Sequence, residues 1–345
     1  MLGVLNMGNV AKHSDEITNE MWELVNSFNR DMVQEFLENQ THLSQKTLIQ
    51  YESGLKIYFN WVKENLNNKK CIEIKKKEYL KYQNYLTRRG LSESAIKFKK
   101  SCVSAFNNYI MFMYEDEYPT FRNYVTSEMR VVSTGYVHEK QPLTPDEYVK
   151  LCKVLEERED WQKLAYVMFS YSTGCRRAET RQLLKEITDY KPQKKIVKVL
   201  DENGEEIEKE SIAYKTHDIR CKGRSVVGKV RKLQFGEDVM IAIKKWLEIR
   251  GDDDCPYVFV TKKNNKYNQV SEITFNQWCT NTFSKIIGRR IHPHLFRESR
   301  ATNLVVFEGK SIETAQKLLG HESSETTSKH YVIRDDEDDA FDAFV

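Results

Sequence analysis

The chain has 345 residues, 40% of them apolar and 30% charged, with a formal net charge of +3. That is long enough for two domains with separate cores. No apolar run approaches the roughly 20 residues of a membrane helix, the opening Met1–Met7 lacks the basic start of a secretory signal, and seven scattered cysteines without a C-x-x-C pair argue against both a disulfide framework and a zinc site and for a reducing cytoplasm.

Residues 1–28 are expected to be a polar N-terminal extension with one short helix near Asp15–Phe28. Residues 29–125 are patterned as a helical bundle of four to five helices. Leu48, Tyr51, Leu55, Tyr58 and Val62 recur at spacings of three and four, one stripe of a helix that Ser44 caps. A second helix is expected over Lys76–Arg88, stopped by Gly90, and a third after Ser92. The bundle carries Lys75, Lys76, Lys77, Arg88, Arg89, Lys97, Lys99 and Lys100. These suit phosphate contacts along a duplex, although a solvated face explains any one cluster equally well.

Residues 126–142 read as a linker, and Thr144 with Pro145 opens a new helix. From 143 to 331 a second domain begins with helices over 146–157, 161–172 and 176–184. It turns to strands over Lys195–Leu200, Ser211–Ile219 and Lys229–Phe235, with a turn at Glu202-Asn203-Gly204. It returns to helices at Val239–Arg250, Glu272–Ile287, Leu295–Glu308, Ile312–Leu319 and Glu325–His330. The fold class expected is mainly α with a small antiparallel β-sheet (α+β). Residues 332–345 form an acidic tail of net charge −5, so the +3 of the whole chain leaves +8 on the other 331 residues. A basic body suits a polyanionic partner. The apolar Phe341, Phe344 and Val345 that end the tail suit docking on a neighbouring copy, and a solubilising tail is the alternative.

Five groups of residues carry chemistry. Arg176 follows Gly174 at a helix start, with Glu179 one turn on to hold its guanidinium. Cys221–Lys232 reads as a β-hairpin with a basic tip that includes Arg224 and ends with Arg231. Lys222 and Lys229 are both placed to donate a proton there, and a hairpin that only grips phosphate is the other reading. His294 and Arg297 lie one turn apart at a helix start after Pro293. Leu319-Gly320-His321 ends a helix, and Tyr331 follows ten residues later among polar neighbours. A phenol, two guanidiniums, imidazoles and an ammonium are the groups that phosphodiester transfer through a covalent phosphotyrosine requires.

Taken in order and spacing, Thr173–Glu179, His294–Arg297 and Leu318–Tyr331 resemble the tyrosine recombinase (phage integrase) family across roughly residues 30–331. The resemblance implies a helical core-binding (SAM-like) domain over 29–125 and a catalytic domain over 143–331. It implies a nucleophile at Tyr331, catalytic roles for Arg176, Lys222, His294, Arg297 and His321, and support for Arg176 from Glu179. It further implies double-stranded DNA as partner, a dimer on each site and a tetramer in synapsis, and an accessory directionality factor for some reactions. No metal or cofactor is implied. Many members have His directly after the second arginine, where this chain has Glu298. The activity implied is site-specific strand breakage and rejoining that integrates or excises a phage or mobile element. A non-cleaving DNA-binding repressor on the same fold is the alternative, and a type IB topoisomerase a more distant one.

Overall fold

The computed structural model describes residues 16–131, 141–200, 206–221 and 229–320. Lys222, Arg224, His321, Tyr331, the turn at Glu202–Gly204, the helix expected over Glu325–His330 and the acidic tail lie outside the described residues. Two compact units are present, Met1–His138 and Glu139–Val345. Among the described residues no helix is long and apolar enough to cross a membrane.

The first unit is helical: α1 (Asn19–Glu23), α2 (Ser27–Asn39), α3 (Gln45–Asn65), α4 (Lys76–Arg88) and α5 (Glu93–Met113). Ser44 and Ser92 cap α3 and α5, their hydroxyls accepting from the backbone N–H of Thr47 and Ala95. The short helix expected near Asp15–Phe28 is instead two elements. Asn26 starts α2, and Asn68, itself in the left-handed region at φ 54°, accepts from the Asn26 N–H across 42 residues of chain. The buried side of α3 packs aromatic rings: Tyr58 lies against Phe59, Tyr79 and Tyr82, and its hydroxyl donates to that of Tyr124. Val25 is buried in the same core, so the bundle begins earlier than residue 29. The linker read over 126–142 is also narrower where it is described. Met129 and Arg130 give their carbonyls to Lys100 and Gln83 in the first unit, and Arg289 donates to the carbonyls of Gln141 and Pro142 in the second.

The second unit opens with α6 (Pro145–Glu157), α7 (Trp161–Thr173) and α8 (Arg177–Thr180). The helix expected over 176–184 is only α8. Leu183 and Lys185 instead make ladder-like bonds to Val258 and Pro256, contacts some 70 residues distant that the local pattern does not carry. Strands β1 (Gln193–Leu200) and β2 (Glu206–Lys215) pair antiparallel, and β3 (Ile219–Cys221) pairs with β4 (Lys229–Arg231). β5 (Gln234–Gly236) adds to β2. The single strand expected over Ser211–Ile219 is thus split between β2 and β3, at Thr216, whose N–H and hydroxyl bond to Leu233.

Helix α9 (Glu237–Arg250) follows, then a hairpin absent from the expectations, β6 (Val260–Lys263) and β7 (Lys266–Gln269). Its two-residue turn is Asn264-Asn265, both at positive φ, the conformation that a type I′ turn needs. Helix α10 (Glu272–Trp278) runs through a π-helical turn into α11 (Ser284–Ile287). Then come α12 (Pro293–Val306) and α13 (Ile312–Leu319). α7 is the central helix. Tyr166 contacts Phe259, Phe275, Trp278, Phe283 and Phe296, and the candidate site lies at the C-terminal end of this buried rod.

Candidate active site

α7 stops at Gly174, which sits at φ 57° in the left-handed region that only glycine enters without strain. The chain then turns so that Arg176 caps α8 and Glu179 lies on its first turn. The Glu179 carboxylate accepts from the Arg176 N–H and from its Nη1, the latter at 3.1 Å. Glu179 is 1% exposed, and one guanidinium is a thin counterweight for a buried carboxylate. A second arrives from β4: Arg231 Nη2 donates to Glu179 Oε2 at 3.0 Å. Arg177, next to Arg176 in the chain, is turned away and bonded to Glu272 and Asn276.

Arg231 does more than pair with Glu179. Its Nη1 donates to the Leu318 carbonyl at 2.8 Å and its Nε to Cys221 Sγ at 3.2 Å. Its expected role was an open contact to DNA phosphate, but the structure directs these three donors inward. Strand alternation explains why: Arg231 lies opposite Ile219 in the ladder, and Ile219 is fully buried.

Arg297 also departs from its expected placement. It is wholly buried, and its Nη1 and Nη2 donate to the carbonyls of Gly174 and Leu319 at 2.6 and 2.8 Å. His294 lies one turn earlier on α12 and is exposed, so the pair shares a helix face at different depths. Glu298 is buried beside Arg297 in sequence. Further along α12, Ser299 accepts from the Leu143 N–H and Asn303 donates to the Leu143 carbonyl, which ties the start of the unit to this helix.

These bonds link Gly174–Glu179, β4, α12 and the last turn of α13 in one place, with two guanidiniums on the Glu179 carboxylate and a third, that of Arg297, on the Gly174 and Leu319 carbonyls. Burial alone would raise the Glu179 carboxyl, but Arg231, then the Arg176 N–H and guanidinium, outweigh it and hold it below the usual carboxylate range. Burial likewise works against the Arg231 charge and Glu179 outweighs it. The Cys175 thiol is pushed up to about 11 by burial and by Glu179, and that of Cys221 is raised by the same two causes, so both remain protonated at neutral pH.

The basic residues of the first unit fall into separate groups. Lys75, Lys76 and Lys77 are exposed at the start of α4, and Arg88 is exposed at its end, roughly 20 Å away along a helix of this length. Arg89 lies over the Tyr85 ring and Lys97 pairs with Glu93. Lys100 donates to the Met129 carbonyl. Lys99 is buried, and burial lowers its ammonium below the usual lysine range. It lines a cleft between α3 and α5 with Ile49, Ser53, Gly54 and Phe98, so it is not the open surface lysine that the sequence suggested. Lys229, beside the hairpin tip, is exposed.

Two glycines hold this packing. A Cβ at Gly174 would lie 2.6 Å from Leu319 Cδ2, and one at Gly320 (φ 67°) would lie 2.6 Å from Arg231 Nη1. Gly174→Ala is therefore expected to destabilise the second unit by about 2–3 kcal/mol, from left-handed strain and overpacking together. Urea unfolding measures this, and an unchanged midpoint would show that Leu319 yields without cost.

The model of the phage integrase family matches residues 141–338, and that of the phage integrase N-terminal SAM-like domain matches residues 33–112. The SPbeta prophage-derived recombinase-like protein YomM of Bacillus subtilis (strain 168) is 35% identical over 334 residues, covering 96% of this chain and 95% of that protein. A tyrosine recombinase of Thermosipho africanus (strain TCF52B) is 25% identical over 321 residues, 91% of this chain and 97% of its own. The fold resembles the crystal structure of a lambda integrase dimer bound to a COC′ core site, with TM-score 0.58, 20% identity, and coverage of 94% of this chain and 79% of that one. A family model spanning more than half of the chain, with a relative matching almost end to end, establishes that this protein belongs to the phage integrase, or tyrosine recombinase, family.

Proposed function

We propose that this chain is a site-specific recombinase that cuts and rejoins double-stranded DNA through a 3′-phosphotyrosine at Tyr331. The observation that carries this reading is the convergence of Arg176 and Arg231 on Glu179, with Arg297 on the adjoining Gly174 and Leu319 carbonyls, drawn from blocks that together span more than 120 residues of sequence. A site with that surplus of positive charge suits a phosphate whose charge grows in the transition state.

In this mechanism the Tyr331 oxygen attacks phosphorus and the bond to the 5′ oxygen breaks. Lys222 protonates that leaving oxygen, with Lys229, on the adjoining strand, as the second candidate. His294, exposed on the first turn of α12, takes the tyrosine proton, and His321 hydrogen-bonds the phosphate. Arg176 binds a non-bridging oxygen. Arg297 acts from beneath, as a buried charge whose field water screens little. A phenol with an unperturbed pKa of about 10 needs this positive surround to ionise. The phosphodiester energy is kept in the phosphotyrosine bond, so rejoining by the reverse attack calls for no nucleotide cofactor.

In this reading residues 29–125, with the additional N-terminal turn of helix, are the core-binding domain, 143–331 are the catalytic domain, and the segment between them is the linker. The exposed Lys75–Lys77 group is the strongest candidate for phosphate contact in the first. Partners are double-stranded DNA and further copies of this chain, a dimer on each site and a tetramer in synapsis, as the lambda integrase dimer on its core site suggests. The similarity to a prophage-derived protein favours integration or excision of a phage or mobile element, with an accessory directionality factor where direction is set. Seven free thiols suit the reducing cytoplasm where that DNA lies.

The test is a suicide duplex carrying the site that footprinting reveals. The expected result is a covalent protein–DNA adduct that resists detergent and maps to the peptide containing Tyr331. Tight, specific binding with no adduct would instead identify a non-cleaving regulator.

A further inference from the structure

We infer that Arg231 is a positioning residue for strand cleavage, the clasp that joins the Arg176–Glu179 block, the hairpin and the end of α13. The inference rests on the recombinase reading of the site. It differs from a phosphate contact, the role that a basic residue near a hairpin tip would ordinarily take.

Each donor group of Arg231 that bonds within the protein reaches a different block. Nη2 meets Glu179, whose other oxygen holds Arg176; Nε meets Cys221 at the end of β3; Nη1 meets Leu318 in the last turn of α13. The next carbonyl, Leu319, is held by Arg297. Two guanidiniums therefore grip consecutive carbonyls at a helix C-terminus, where the exposed carbonyl dipoles favour cations. Gly320 lies so close to Arg231 that no side chain fits between them. The chain leaves that grip directly into His321 and, ten residues later, Tyr331. One side chain thus sets both the orientation of Arg176 and the starting point of the segment that carries the nucleophile. The Glu179 carboxylate, held ionised chiefly by Arg231, reports on the same arrangement.

The experiment compares single-turnover cleavage, DNA affinity and its salt dependence for the full chain, Arg231→Ala, Arg231→Lys and Arg231→Ala/Glu179→Gln. Arg231→Ala is expected to slow cleavage about 10²-fold, the cost of a small misplacement of reacting groups, with the salt slope of binding unchanged. With its strongest cation gone, Glu179 is protonated more easily, so the rate of this variant falls more steeply with decreasing pH than that of the parent. Glu179→Gln in the same background removes that pH dependence. Arg231→Lys keeps the charge and most of the stem but lacks the fork, so its rate lies between the two. It carries the comparison if the alanine chain does not fold. A salt slope reduced by about 1 in Arg231→Ala would identify a phosphate contact and overturn the inference. So would a Lys variant equal to the parent in rate and pH profile. Adduct formation by the unaltered chain tests the recombinase reading by itself. Amide hydrogen exchange at Leu318–Gly320, expected to quicken in both single variants, tests the clasp whether or not the parent cleaves; unchanged exchange there overturns it.

Discussion

Arg297→Met is expected to destabilise the second unit by about 2–4 kcal/mol and to slow cleavage on the order of 10²–10³-fold. The stability loss follows from what the side chain touches. Its two bonds satisfy the carbonyls of Gly174 and Leu319, both in the interior, and an unsatisfied buried carbonyl costs about 1–3 kcal/mol. Methionine fills much of the volume and relieves the cost of burying a charge, so the loss is less than two full penalties. The catalytic loss has two parts, the missing positive field and the freed end of α13. Arg297→Lys separates them. It restores the charge, but an ammonium cannot reach both carbonyls in the planar geometry that the fork uses. The lysine chain is therefore expected to regain part of the stability and little of the rate. Urea unfolding and single-turnover cleavage, measured on chains shown to be folded, check both. A methionine variant as stable as the parent would mean that neither carbonyl depends on Arg297.

Much of this architecture is legible in the sequence because it is local. Ser44, Ser92 and Thr144 cap helices where their spacing to the next apolar residues says they should. Gly174 and Gly320 end helices as glycines do. The family motifs place Arg176 beside Glu179, and three residues of helix are enough to make that contact. What escaped is of two kinds. The bonds of Leu183 and Lys185 to the 256–258 segment depend on chain far away, so a helix drawn through 184 had no local reason to stop.

Other features carry a local signal in the sequence. Asn264-Asn265 between two short runs is a hairpin turn in outline. Arg297 falls four and seven residues before the buried Ala301 and Leu304, a helical spacing that points inward. Arg231 shares the strand face of residues paired with Ile219 and Cys221, both buried. For both arginines residue type suggested the surface while periodicity pointed to the core. For long basic side chains with interior acceptors, periodicity is the better guide.

Tyr331→Phe is expected to abolish adduct formation altogether while leaving DNA affinity unchanged. Phenylalanine keeps the ring and loses only the oxygen proposed to form the bond to phosphorus, so on that proposal no partial activity through the same intermediate remains. The result is specific only if no other phenol can take over, and the tyrosines of α6 and α7 are poorly suited to do so. Tyr166 is completely buried and burial pushes its hydroxyl well above the ordinary range, while Tyr148 is raised by burial and then by Cys152. A phenol that resists ionisation is a poor nucleophile. Tyr171 is the nearest rival by position, two residues before Thr173 and bonded through its hydroxyl to Asn303 of α12. Its hydroxyl, too, is raised by burial, against the opposing pull of Asn303 and Arg300. Tyr171→Phe is accordingly expected to cleave at close to the parent rate. Peptide mapping of the trapped adduct decides between them. An adduct that persists in Tyr331→Phe and maps to Tyr171 would keep the reaction class but move the nucleophile. Loss in Tyr331→Phe alone, with affinity intact, places the covalent bond at residue 331 and makes the buried arginines the machinery that serves it.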